Sequence, residues 1–99
     1  MLVARWNGEA VACSERCRMV EGNWYFPPES LKKQCFRGST TRTVCGWKGT
    51  AHYYNVVVFN SENLDGAWYY PRTTEEASHI EGWVAFWNGI EVWDEEGND

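Results

Sequence analysis

The chain has 99 residues, the size of one domain, and carries a formal net charge of −5. A chain of this length buries roughly 60–65% of the surface it would expose unfolded, enough for one core but not for a deep cleft between domains. Its acidity and the absence of a basic stripe argue against nucleic acid as a partner, and no apolar run is long enough to span a bilayer.

The first element is a hairpin. Residues 2–6 (LVARW) and 9–13 (EAVAC) flank Asn7-Gly8, and both positions of a type I′ turn need positive φ. A strand over 17–21, a Gly22-Asn23 turn and a short run Trp24–Phe26 follow. Pro27-Pro28 end that run. Pro28 suits the first position of a helix and Glu29 complements its dipole, so 28–35 is expected to be a short helix.

Residues 41–45 (TRTVC) form a strand that enters the turn Gly46-Trp47-Lys48-Gly49. The strand over 50–59 (TAHYYNVVVF) is the clearest in the chain. Both its faces are apolar, which places it centrally in a sheet. The segment 61–65 (SENLD) reads as a turn, and 66–70 (GAWYY) as a strand ended by Pro71. Thr73 and Glu76 have capping-box spacing for a second short helix ending near Ile80, with Gly82 beyond it. Residues 83–87 and 90–93 flank Asn88-Gly89, a second hairpin signal. The sum is a mostly β, compact single domain over 1–93 with two short helices, followed by an acidic tail over 94–99.

Four cysteines are present: Cys13, Cys17, Cys35 and Cys45. Met1 leads directly into a strand with no export signal, so reduced thiols and a cytoplasmic location are expected. Cys13 and Cys17 are spaced CxxxC with no second pair, which argues against a zinc site. No metal and no cofactor are expected.

The densest candidate for chemistry is TVCGWKGTAHYY, residues 43–54. Cys45 ends a strand, Lys48 follows three residues later across a glycine-flanked turn, and an adjacent ammonium favours thiolate. His52 and His79 are the two imidazoles available to a Cys–His pair. On spacing alone, a Cys packed as a small apolar group beside a solvated lysine is the favoured reading.

The segments YFPPES (25–30), TVCGWKGTAHYY (43–54), AWYYP (67–71) and IEGWVAFW (80–87), in that order, resemble the family known as domain of unknown function 427 over roughly residues 3–93. The family pattern Cys-Pro-aromatic-Lys-Gly-x-Ala-x-Tyr falls on Cys45, Gly46, Trp47, Lys48, Gly49, Ala51 and Tyr53, with Gly46 replacing the usual proline. Tyr25, Phe26, Pro27, Pro28 and Glu29, and then Ala67, Trp68, Tyr70 and Pro71, carry the other motifs. Cys13, Cys17, Cys35 and His52 match none of them. The resemblance implies a small all-β fold of bent antiparallel sheets, tent-like, with no settled activity. A nucleotidyltransferase label is attached to the family in some catalogues. Such chemistry calls for carboxylates holding Mg²⁺ beside phosphate donors, and the motifs contain neither.

Three readings of function follow. In the first, a small anionic metabolite binds in an aromatic pocket of Tyr25, Glu29, Trp47, Lys48, Gly49, Tyr53, Trp68 and Tyr70. In the second, the domain is an interaction module that homodimerises through Trp6, Trp87 and Trp93. In the third, it is an enzyme with catalytic Cys45 and Lys48.

Overall fold

The structure is a computed structural model in which residues 1–95 are described. Nine strands account for most of the described residues. β1 (Leu2–Trp6) and β2 (Glu9–Ser14) are joined by Asn7-Gly8, at φ 54° and 81°, which is the conformation a two-residue hairpin turn demands. β3 (Arg18–Val20) and β4 (Asn23–Tyr25) form a second, smaller hairpin. β5 (Phe36–Cys45), β6 (Gly49–Val58) and β7 (Ser61–Tyr69) make a long antiparallel meander that β8 (Val84–Phe86) completes. β9 (Glu91–Asp94) returns to pair with β1, giving a three-stranded sheet in the order β2-β1-β9.

The four-stranded sheet is the middle layer, because β6, β7 and β8 are apolar on both faces. On one face Tyr54, Val56 and Val58 of β6, Ala67 and Tyr69 of β7, and Val84 and Phe86 of β8 pack against Ala4, Val11, Ala12 and Ile90 of the three-stranded side. On the other, Ala51, Tyr53, Trp68, Tyr70 and Ala85 meet Val20 and Tyr25 of the small hairpin and Ala77 and Ile80. The period-2 alternation of β6–β8 thus feeds two cores at once. Phe26, fully buried, exchanges backbone hydrogen bonds with Val84 and ties the small hairpin to the sheet.

Two bulges curve this sheet. In β5 the residues between Gly38 and Arg42 oppose Tyr53, and in β7 the residues between Asn63 and Ala67 oppose Asn55. Asp65, at φ 56°, stitches them together. Its carboxylate accepts from Ser39 Oγ at 2.6 Å and Thr41 Oγ1 at 2.7 Å, and its amide donates to Asn55 Oδ1 at 2.9 Å. Its carbonyl accepts from the Trp87 indole at 2.6 Å.

Several local expectations give way to tertiary pairing. The helix expected over 28–35 is two 3-10 turns, Pro28–Ser30 and Lys33–Cys35. Leu31 and Lys32 between them are extended, because Leu31 bridges Ala12 and the Lys32 amide donates to Val11 O at 2.8 Å. The helix expected from Thr73 is a 3-10 segment, Glu75–Ile80, without a side-chain cap. Thr73 bonds Glu81 rather than Glu76. The turn between β3 and β4 falls on Glu21-Gly22, one residue earlier than expected. SENLD begins β7 instead of forming a turn; the reversal is at Phe59-Asn60.

Asn88-Gly89 adopts the expected positive φ values of 59° and 91°, yet its flanking strands do not pair with each other. β8 joins β7 and β9 joins β1, so this turn carries the chain from one sheet to the other. Asp94, expected in the acidic tail, lies in β9, and the Glu95 amide donates to Met1 O at 2.7 Å. Residues 96–99 of that tail lie outside the described residues. No helix among the described residues is long and apolar enough to cross a membrane.

Candidate functional site

The turn between β5 and β6 is stapled from below. The Lys48 amide donates to Cys45 O at 3.2 Å, closing the turn. The loop over 71–74 then bonds its outer edge: Thr74 N donates to Lys48 O at 3.2 Å and Thr74 Oγ1 donates to Trp47 O. Gly49, at φ 128°, bridges Thr73. A Cβ at Gly49 would lie 2.6 Å from Arg72 O, so the close approach of the loop needs glycine there.

Held this way, the Lys48 side chain runs inward and is 8% exposed. Its Nζ donates to the Glu21 carboxylate and lies 3.6 Å from Cys45 Sγ. It also sits 5.0 Å from the Trp47 ring centre and 5.7 Å from that of Tyr70, within cation–π range. Glu21 is at the tip of the β3–β4 hairpin with φ 53°, and its second oxygen accepts from Trp47 Nε1 at 3.2 Å.

The electrostatics follow from this arrangement. Burial disfavours the Lys48 ammonium, but the Glu21 hydrogen bond and the nearby Tyr70, Tyr25 and Cys45 outweigh it and hold the pKa above its ordinary value. Burial likewise opposes ionisation of Cys45. It is overcome by the backbone N–H groups of Lys48 and Trp47 and by the ammonium, so the thiol is shifted down. Glu21 is held below the usual carboxylate range by Lys48 first and Trp47 second. Burial raises Tyr25 and pushes Tyr70 up to about 12, so both remain phenols at neutral pH.

Beside Lys48 lies a hollow of about 220 Å³ lined by Asn23, Tyr25, Lys48, Tyr53, Trp68, Tyr70 and Trp87. Trp68 meets Tyr25 edge-on with ring centres 6.3 Å apart and donates its indole N–H to the Tyr25 hydroxyl at 3.3 Å. Trp87 meets Trp68 edge-on at 6.1 Å, positioned by its bond to Asp65 O. The Tyr53 hydroxyl is 2.9 Å from Thr43 Oγ1.

Of the residues singled out in the sequence, Tyr25, Lys48, Tyr53, Trp68 and Tyr70 come together here. Trp47 flanks the ammonium, and Cys45 touches it from the turn. Glu29 does not join them. It sits in the first 3-10 turn, paired with Arg16, on a separate groove with Phe36 and Tyr54. Gly49 lines another, wider surface groove of about 550 Å³ with Thr50, His52 and the loop over 71–74. That groove is larger, but the perturbed titratable groups converge on the smaller hollow, which is the better candidate. His52 lies on the opposite face of β6 from Tyr53, edge-on to Tyr69 at 5.7 Å, and no histidine pairs with Cys45 among the described residues.

Glu21, Asn23 and Trp87 were not foreseen. Glu21 belongs to a hairpin remote in sequence from Lys48, and the sequence places it at the end of a strand with no signal for a role at the site. All four cysteines are free, and no group of three or more His, Cys, Asp or Glu among the described residues could hold a metal ion.

The family model described as "Domain of unknown function (DUF427)" matches residues 1–96. No curated protein matches the chain.

Proposed function

Because the chain belongs to this family of domains of unknown function (DUF427), its activity has to be read from the site, and we propose that it binds a small anionic ligand with a flat apolar body in the Lys48 hollow. The observation that carries this reading is a buried cation with a donor to spare. An ammonium has three N–H donors. Glu21 takes one and Cys45 Sγ lies along a second, while the third has only the ring faces of Trp47 and Tyr70 beside it, and Lys48 lines the hollow.

The walls add the rest. Tyr25, Tyr53, Trp68, Tyr70 and Trp87 offer ring faces and edges to a planar body. A volume of about 220 Å³ is below the usual 300–1,000 Å³ of ligand pockets, so the fitting ligand is a single-ring acid rather than a nucleotide. Homodimerisation through tryptophans draws less support: Trp6 packs against the core, Trp87 is engaged by Trp68 and Asp65, and the Trp93 indole donates to Glu91 Oε1 at 3.3 Å.

Thermal-shift titration with benzoate and phenyl phosphate tests the reading, followed by tryptophan fluorescence. Saturable stabilisation of the wild type is expected, with at least a tenfold loss of affinity in Lys48→Met. No stabilisation of the wild type, or equal stabilisation of Lys48→Met, would overturn it.

A further inference from the structure

The four free thiols live in different surroundings. Cys13 is exposed, on β2. Cys17 is half-buried, with its thiol 3.9 Å from Ser14 O, and burial pushes it up to about 11. Cys35 is buried in the larger core, and burial raises it too. Cys45 alone has a cation against its sulfur: Lys48 Nζ at 3.6 Å, nine-tenths buried and itself anchored by Glu21. An ammonium held this close favours negative charge on the sulfur. The Cys45 side chain remains partly accessible to solvent.

We propose that Cys45 is a site of modification by hydroperoxides, at which the Lys48 ammonium holds the attacking thiolate and assists the departing oxygen. The Cys45 thiolate attacks one oxygen of hydrogen peroxide. A sulfur–oxygen bond forms as the oxygen–oxygen bond breaks. Sulfur is oxidised to the sulfenic acid, and the peroxide is reduced to hydroxide, which takes a proton from the Lys48 ammonium to leave as water. Solvent then reprotonates the amine. The sulfenic oxygen is left within reach of Nζ, a position that retains the product rather than exposing it to the next oxidation step.

The inference stands apart from the ligand reading, because it needs the Cys45–Lys48 contact and not the hollow. Its sharpest consequence is a reactivity order that inverts exposure. The folded chain is treated with limiting hydrogen peroxide at neutral pH with dimedone present, and each cysteine-containing peptide is quantified by mass spectrometry. Cys45 is expected to be labelled at least tenfold faster than the more exposed Cys13. In urea the two rates converge. Lys48→Met lowers the Cys45 rate at least fivefold, Lys48→Arg restores part of it, and Glu21→Gln, which keeps an acceptor for the ammonium but removes the competing negative charge, does not lower it. Labelling of Cys13 ahead of Cys45 in the folded wild type overturns the proposal even if Lys48→Met fails to fold. An unchanged Cys45 rate in a folded Lys48→Met overturns it as well.

Discussion

Replacing Gly49 by alanine tests how the candidate site is held. Gly49 has φ 128°, outside the range that L side chains adopt readily, and the new methyl would lie 2.6 Å from Arg72 O. Ordinary contact begins at 3.4 Å, so the loop and the strand must part by about 0.8 Å. Holding a non-glycine residue in such a conformation costs about 1–3 kcal/mol. Parting the loop also weakens the Gly49–Thr73 bridge and the Thr74 N to Lys48 O hydrogen bond, each worth about 1 kcal/mol. The expected loss is about 3–5 kcal/mol, which lowers the melting temperature of a domain this size by at least about 12 °C. Gly46 lies in the same turn, with no positive φ and nothing within 4 Å of the place a methyl group would take. Gly46→Ala is therefore expected to fall within about 0.5 kcal/mol of wild type. Urea and thermal unfolding followed by circular dichroism would measure both. If the stabilities of Gly49→Ala and Gly46→Ala lie within about 1 kcal/mol of each other, the loop does not clamp the turn as described.

Two further outcomes are expected. Glu21 has a folded pKa below its ordinary value, so its contribution to stability is full above the unfolded pKa and is lost as pH falls through the folded one. The difference in melting temperature between wild type and Glu21→Gln is thus present at neutral pH and closes as pH falls below the ordinary carboxylate range; a gap independent of pH would show that the ion pair contributes nothing. Phe26→Ala removes a fully buried ring that meets Phe86 edge-on at 5.3 Å, and is expected to cost about 3–5 kcal/mol in urea unfolding; a loss under about 1 kcal/mol would mean the junction between small hairpin and sheet repacks freely.

What could be read from the sequence was what is set by neighbours along the chain. Asn7-Gly8 fixes its turn and, because two strands of matching pattern flank it, its hairpin as well. The doubly apolar pattern of β6 announced a sheet covered on both sides. Asn88-Gly89 shows where such reasoning stops. Turn chemistry sets the local reversal, but the partners of β8 and β9 are chosen by β7 and β1, far away in sequence. The expected helices failed for the same reason: Leu31 and Lys32 find better partners in β2 than in their own turn, and Thr74 is drawn to the Trp47 carbonyl. At the site, the spacing of Cys45 and Lys48 was legible, whereas the Glu21 carboxylate that anchors the ammonium depends on how a separate hairpin folds across.

The unequal covering of the central sheet has a dynamic consequence. One side is roofed by a three-stranded sheet, the other by a three-residue-per-strand hairpin and a single 3-10 segment. The lighter roof has fewer ladder bonds to lose, so it is the first cooperative unit to detach, at a free energy below that of global unfolding. Lys48 lies beneath it, and the amides of Val20 and Asn23 should exchange with solvent sooner than those of Val56 and Ala67 on the heavier side. Each lifting of that small hairpin would carry Glu21 away from Lys48 and leave the buried ammonium without its carboxylate, while the rest of the domain stands still.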